Sequence, residues 1–344
     1  MQHLIPFDPP VDGLRIIDAD PVIEHYEDVL YMPVSTYVGF DGDPTWGLYD
    51  RSGRMIQAAS YYRFPSRQRV GSCDHLADIP ADADWAPGGH YTYAGQLTLH
   101  YGHFIVTSLA RLWPFAGGLP AGTQLLWHTP HDPALFQTHA FAGQAVSGLG
   151  FGIEQFTHFT RPTRIKRVTV IVPAFEENHF AHRAFARVCR AIGDRPVPVW
   201  DRSPRPPAYL ARNKMTWGVK GLANEAFLCE AVRMLGVELV HPEQLGLLDQ
   251  IALFKSDRVI MGLSGSAFHT TIFAPPVPRL LAIEPVNSEN QTLINLLNGN
   301  KMVCLRPDPP FPHNLSNPAF STVFELPDPT GTARDLLRYA QAFA

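Results

Sequence analysis

DRVIMGLSGSAFHTTIFAPP, residues 257–276, passes from an apolar run through a turn of two glycines and two serines into a helix-like segment, and stops at a proline pair. Arg258–Met261 reads as a buried strand and Ala267–Phe273 as a helix, so the chain bends where one gives way to the other. In an open α/β sheet, a loop leaving a strand's carboxyl end aims backbone N–H groups and a positive helix end at an anion. Gly262, Ser264, Gly265, Ser266 and Ala267 suit that task, because glycine permits close approach and a serine hydroxyl donates to phosphate oxygens. The pattern is neither G-x-G-x-x-G nor G-x-x-x-x-G-K-S, so taken alone it is equally a plain structural turn.

Working outward, Tyr209–Ala211, Val237–Val240, Leu280–Ile283 and Met302–Leu305 read as further strands. Asn224–Leu235, Leu245–Lys255 and Gln291–Leu297 read as helices between them. This alternation predicts an α/β fold with a parallel sheet covered on both faces. Thr332–Phe343 predicts a final amphipathic helix. Upstream, the chain is rich in aromatics, Pro, Gly and His. There we expect a helix over Ala94–Trp113 with His100 and His103 near its start, and a strand at Gln124–His128. A helix over Pro133–Val146 opened by Asp132, a strand at Arg167–Val172 and a helix at His179–Ile192 come next. DRSPRPPAYL, residues 201–210, reads as an interdomain linker, since Pro joins neither a helix interior nor a central strand.

Two domains are the expectation for 344 residues. A net charge of −4 argues against a nucleic-acid partner and favours a small molecule or a sugar chain. Four cysteines without CxxC spacing speak against structural zinc or a disulfide framework, and no stretch reaches the length of a membrane span, so a cytoplasmic protein is expected. Positive charge gathers in YLARNKMTWGVKGLANE, residues 209–225: Arg212 offers a bidentate fork for phosphate, and Lys214 and Lys220 add point charges. Asn224 is a natural helix cap and Glu225 favours the positive end of the helix; a solvated basic loop and ordinary capping are the plainer accounts.

In their order and spacing, YLAR, Lys220 before Asn224-Glu225, HPEQLGLLDQIALFKSDRVIMG with Gln250, the GLSGSAF turn, IFAPP and LLAIEP resemble glycosyltransferase family 61 over residues 209–285. HYGHFIVTSLARLWP, residues 100–114, extends the likeness upstream. The chain departs from the family pattern at Ser264, where the family turn carries His, and at Lys220, where it prefers Arg; His269, one helical turn on, is a candidate substitute for the missing imidazole.

The resemblance implies a GT-B fold of two Rossmann-like domains facing a cleft: residues 1–203 on the acceptor side, 208–325 holding the nucleotide sugar, and a helix at 330–344 returning to the first domain. It implies inverting, metal-independent transfer by a hexosyl- or pentosyltransferase with no cofactor beyond its donor, a UDP-linked nucleotide sugar. The acceptor would be a glycan or lipid-linked saccharide of bacterial capsule or other surface polysaccharide, met by a cytoplasmic enzyme with peripheral contact at the inner membrane. Arg212, Lys220, Asn224, Glu225, Gln250, Gly262, Ser264, Gly265, Ser266, Ala267, His269 and Glu284 would line the donor site, Glu284 reaching the ribose from a strand end.

His103 is the candidate base, since imidazole titrates near neutrality. The competing account is a packed aromatic-neighbour histidine. Three Asp-x-Asp pairs, Asp18/Asp20, Asp41/Asp43 and Asp82/Asp84, and the HYGH pair are weaker metal candidates. An inactive nucleotide-sugar or glycan-binding protein of the same fold is the alternative, motivated by Ser264. Trp46, Tyr61-Tyr62 and Tyr91–Tyr93 are candidates for stacking on sugar rings or for the core.

Overall fold

The computed structural model describes residues 4–64, 68–132, 134–138, 141–196, 205–313 and 319–343. The chain opens with a strand, β1 (Leu4–Phe7), whose partner lies near its other end, and then divides into two compact units. One is residues 13–195; the other joins residues 4–12 to the chain from 205 on.

In the 13–195 unit the main sheet is built from β2 (Ile23–Met32), β3 (Gly47–Tyr49), β4 (Tyr91–Gln96), β5 (Leu125–His128), β6 (Phe156–Thr157) and β7 (Thr163–Ile171). Its spatial order is β6-β5-β4-β7-β2-β3. The first four are parallel, so in chain order they stand 3-2-1-4, and the order reverses between β4 and β7. β2 pairs antiparallel with β7 in a long ribbon, and β3 with β2. Near the ribbon's end Tyr31 stacks flat on His128, ring centroids 4.1 Å apart, and its hydroxyl donates to the Trp127 carbonyl. Ile165, Val168 and Val170 of β7, on either side of the exposed Lys166-Arg167, join a core with Tyr31, Tyr91, Tyr93 and Leu126.

The segment expected as one helix over Ala94–Trp113 is different. Residues 94–96 finish β4; helical turns begin at Tyr101–His103, widen to a π turn over Phe104–Ser108 and tighten over Leu109–Arg111. Every residue from Phe104 to Leu112 is buried, so no polar face exists to give the amphipathic rhythm. Arg111 pins this stretch to the sheet by donating to the carbonyls of Ala58, Ser60 and Ile171. Gly95, at φ +94°, leaves the room it needs: a Cβ there would stand 2.8 Å from the Arg111 Cδ. The expected helix over Pro133–Val146 is two pieces, Ala134–Thr138 and Ala142–Gly148, with 133 and 139–140 outside the described residues; Asp132 caps the first. His179–Ile192 is a strand (Phe180–His182) followed by α1 (Arg183–Gly193).

The second unit keeps closely to the sequence reading. β8 (Ala208–Leu210), β9 (Glu238–Val240), β10 (Ile260–Leu263), β11 (Leu280–Ile283) and β12 (Met302–Pro307) form a parallel sheet ordered β9-β8-β10-β11-β12, that is 2-1-3-4-5, with β1 antiparallel on the far edge. Side-chain alternation fills two layers. Tyr209, Met261, Leu263, Leu281 and Ile283 meet α2 (Glu225–Met234) and α5 (Pro329–Gln341) on one face. Ala208, Leu210, Ile260, Leu280 and Ala282 meet α3 (Leu247–Phe254) and the tight helical turns of Ser266–Phe273 on the other. Between β11 and β12 runs α4 (Glu289–Asn298), ended by Gly299 in the left-handed conformation.

Two expectations about domain limits change. Residues 4–7 belong to the C-terminal sheet, because β1 finds its hydrogen-bond partner in β12. The last helix, implied to return to the first domain, packs instead within its own unit: α5 lies on α2, Leu4 N donates to Asp335 at 3.0 Å and Tyr339 Oη donates to the Leu4 carbonyl. Its buried side, Ala333, Leu336 and Ala340, covers the apolar surface that α2 and β1 share. The proposed linker lies outside the described residues at 201–204.

Candidate active site

Both sheets reverse their strand order once, and in open α/β sheets such a reversal is where neighbouring loops diverge and ligands bind. In the C-terminal sheet the reversal falls between β8 and β10. Arg212 follows β8 and the Ser264-Gly265-Ser266 turn follows β10, and these meet. A Cβ on Gly265 would stand 1.8 Å from Arg212 Nη2, so the guanidinium lies where any side chain at 265 would be. Gly265 has φ 167°, an extended backbone open to any residue; it is glycine for space. Gly262 is similar, since its missing Cβ leaves 3.1 Å to the Leu210 Cβ of the neighbouring strand.

Around that contact the backbone is braced. Arg212 Nη1 donates to the Lys220 carbonyl at 3.1 Å, and the Arg212 N–H donates to the buried Glu225 carboxylate, which Tyr209 Oη also reaches at 3.1 Å. Lys220 lies on a short strand, Gly218–Leu222, paired with Phe320–Phe324, and its Nζ donates to the Val286 carbonyl at 3.2 Å. Burial lowers the pKa of both Arg212 and Lys220, with Glu225 opposing it at the arginine and Glu284 at the lysine. Two cations depressed in this way gain from an anion placed between them. Burial conversely raises Glu225 and Glu284. Glu284, 4% exposed after β11, accepts from Ser288 N at 2.6 Å and from Ser264 Oγ at 3.4 Å.

Other sequence candidates have structural employment. Asn224 does not cap α2 with its side chain; it exchanges two hydrogen bonds with the backbone of Leu326, at 2.8 and 3.0 Å. Gln250 donates to the carbonyls of Pro242 and Leu245, holding the turn before α3. His269, 6% exposed, shares a hydrogen bond of 2.9 Å with Gln291, which donates to Asn295, itself bonded by Asn300. This amide network ties α4 to the Ser266–Phe273 turns and holds the His269 ring through Nδ1. Ser266 and Ala267 begin those turns beside Gly265.

In the 13–195 unit the reversal falls between β4 and β7, and there the chemistry is of another kind. The chain leaving β4 carries His100 and His103; the chain leaving β7 carries Glu176 and Glu177. His103 Nδ1 lies 2.7 Å from Glu177 Oε1, with the imidazole 32% exposed and the carboxylate 5%. Glu177 also accepts from Tyr61 Oη and from Thr107 Oγ1 at 3.0 Å, and pairs with Arg63 at 3.5 Å. Burial alone would raise this carboxyl, but His103, Tyr61 and Arg63 together lower it to about 2. His103 and Thr107 stand four residues apart across the start of the π turn, which brings both to one carboxylate. His100, its ring centroid 4.7 Å from that of His103, is pushed down to about 4 by burial and by that neighbour.

Glu177, Thr107 and Arg63 were not candidates in the sequence, and Tyr61 was one only for stacking on sugar rings or for the core. An acidic pair just past a buried strand is the same signal that marked Glu284, and Pro173-Ala-Phe-Glu-Glu carries it. The stacking candidates Trp46, Tyr61, Tyr91 and Tyr93 are core residues, while Tyr62 is half-buried. Asp18 and Asp20 pair with Arg183 and Arg187, and Asp43 accepts from the backbone of Ser35 and Thr45. Among the described residues no three His, Cys, Asp or Glu side chains gather as metal ligands, and no helix is long and apolar enough to cross a membrane.

The family model described as Glycosyltransferase 61 matches residues 101–281, more than half of the chain. The chain belongs to glycosyltransferase family 61. The match takes in His103, Glu177, Arg212, Lys220 and the whole Gly262–Ala267 turn, and ends three residues before Glu284. No curated protein matched the chain. Membership of family 61 makes the protein a glycosyltransferase, which implies a nucleotide-sugar donor and a glycan acceptor.

Proposed function

We propose that this glycosyltransferase is an inverting, metal-independent enzyme of the GT-B class that moves a hexosyl or pentosyl group from a UDP-linked donor to a glycan or lipid-linked saccharide of a bacterial surface polysaccharide. The observation that carries the reading is the Arg212 guanidinium held over Gly265 where the strand order reverses. The departing nucleoside diphosphate bears the charge that develops in the transition state, and a fixed fork of donors is worth most there. In this reading Arg212 and Lys220 neutralise the diphosphate and the amides after Ser264 cradle it. Glu284 accepts from a ribose hydroxyl. His103 takes the proton of the attacking acceptor hydroxyl, so that the new bond forms opposite the one that breaks.

The test is a thermal-shift and turnover panel of nucleoside diphosphates and their sugars. UDP should stabilise the wild type, fail to stabilise Arg212→Ala, and act equally in the presence of EDTA; the product anomer, read by NMR, should be opposite to the donor's. Stabilisation by UDP sugars with no transfer or hydrolysis would favour the inactive binding protein, for which Ser264 is the motive. A UDP response that requires a divalent cation would overturn the metal-independent part.

A further inference from the structure

Two histidines, His128 and His179, are held at both ring nitrogens by partners among the described residues. His128 meets Tyr93 Oη through Nδ1 at 2.9 Å and the Met32 carbonyl through Nε2 at 3.0 Å. His179 meets Glu176 through Nδ1 at 2.7 Å and Arg15 Nη2 through Nε2 at 2.9 Å. Such rings have no nitrogen left for a substrate. His103 differs: Glu177 takes Nδ1, and no hydrogen bond to Nε2 is found among the described residues.

The adjacent glutamates therefore make two imidazole–carboxylate pairs, of which one is closed by arginine and the other has its far nitrogen unclaimed. The Glu177 carboxylate receives Tyr61, Thr107 and Arg63 besides His103. Three hydrogen bonds converging on a buried carboxylate, with the Arg63 charge beside it, keep it ionised, and an ionised carboxylate only accepts. The proton between it and the ring must then sit on Nδ1, which leaves the lone pair of neutral His103 on Nε2.

We propose that Glu177 is the positioning residue of the transfer reaction: with Tyr61, Thr107 and Arg63 it holds His103 in the Nδ1–H tautomer, so that Nε2 is the atom that accepts the acceptor hydroxyl's proton. This rests on the reading of His103 as the base. In the step itself the acceptor oxygen forms its bond to the anomeric carbon, the bond to the diphosphate oxygen breaks, and the hydroxyl proton passes to Nε2. The resulting imidazolium is stabilised by the Glu177 charge, which does not itself take the proton. Removing Glu177 thus weakens the chemical step without touching any group that holds the donor.

The experiment has two parts. Long-range proton–nitrogen correlation on the full chain labelled at histidine ring nitrogens, above neutral pH and without substrate, should show His103 protonated on Nδ1, the signal being assigned by its loss in His103→Gln. A wild-type His103 protonated on Nε2 overturns the proposal whether or not any variant folds. Kinetically, Glu177→Gln should lower kcat about ten- to hundredfold while donor KM stays within about twofold, and Glu177→Asp, which keeps the charge on a shorter arm, should recover part of the loss. An unchanged kcat in folded Glu177→Gln, or equal losses in kcat and in donor binding, would also overturn it. Failure of the transferase reading is distinguishable, since it shows as absent turnover with the Nδ1–H signal intact.

Discussion

The two units present the same topological device with opposite chemistry. Each has a mixed sheet whose parallel strands reverse order once, between β4 and β7 in one and between β8 and β10 in the other. At the first reversal two side chains form an acid–imidazole pair; at the second a guanidinium lies on a bare backbone. The difference comes from the loops that leave the strands. Those after β4 and β7 are long enough to bring His103 and Glu177 together with Tyr61 and Thr107. The one after β10 is a Gly/Ser turn in which the missing Cβ of Gly265 admits Arg212. Where topology separates neighbouring loops, the chemistry comes from the loop residues: an imidazole–carboxylate pair at one reversal, a guanidinium on bare backbone at the other.

The sharpest way to break this division is His103→Ala, which should reduce transfer by about 10²- to 10⁴-fold while the UDP-induced thermal shift is retained; a lost thermal shift would put His103 in donor binding. Conversely, Arg212→Ala should weaken donor binding by about 10- to 100-fold, on the order of 1.5–3 kcal/mol for lost charge-assisted hydrogen bonds, as measured by calorimetric titration. Gly265→Ala should do nearly the same with the fold intact, because the added methyl occupies the guanidinium's place and the backbone at 265 accepts alanine without strain. If Gly265→Ala binds donor normally, the contact is not the anion site.

Acid should separate the units as well. His100 and His128 titrate in the folded state at about 4 and about 3, below their ordinary 6.5. Between those values the unfolded chain binds more protons, so stability is complete above pH 6.5 and falls as pH drops, by up to about 2 kcal/mol by pH 5 at His128 and by less at His100, where solvent screens the ring. Glu177, lowered to about 2, removes more as pH falls from 4.5 through 2. In the other unit burial raises Glu225 and Glu284, so their folded forms bind protons first and acid relieves their burial. Hydrogen exchange at pH 7 and pH 5 should therefore show residues 13–195 losing protection first, and uniform loss would break the contrast. The smallest functional effect is expected for His269→Ala, which should cost about 1–3 kcal/mol of stability through Gln291 and leave transfer unchanged.

Legibility tracked the regularity of each unit. β11 is found at Leu280–Ile283, the same four residues that the apolar run predicts, and α2 and α4 fall within a few residues of expectation. Strong local patterning survives there because the central strands β8, β10 and β11 are buried throughout. The 13–195 unit blurred the same signals. A helix whose every side is buried lacks a polar face, and the widened turn at Phe104–Ser108 has no sequence rhythm of its own. β2, the ten-residue arm of the ribbon, alternates exposed and half-buried residues before turning fully buried at Val29, so neither strand pattern runs its length.

By itself the sequence determined the alternating sheet of the second unit, the Gly/Ser turn at its centre and the family to which the ordered motifs correspond, since these depend on residues near one another in the chain. Tertiary structure alone decided that β1 and α5 close the C-terminal sheet, that Asn224 bonds to Leu326, Gln250 to the Pro242 and Leu245 carbonyls and His269 to Gln291, and that Glu177 stands behind His103. Those outcomes hinge on partners as far as 335 residues away, or on which of several polar groups reaches a buried atom first. No local pattern encodes that choice, because a side chain's hydrogen-bond partner is settled by the packing of the whole unit.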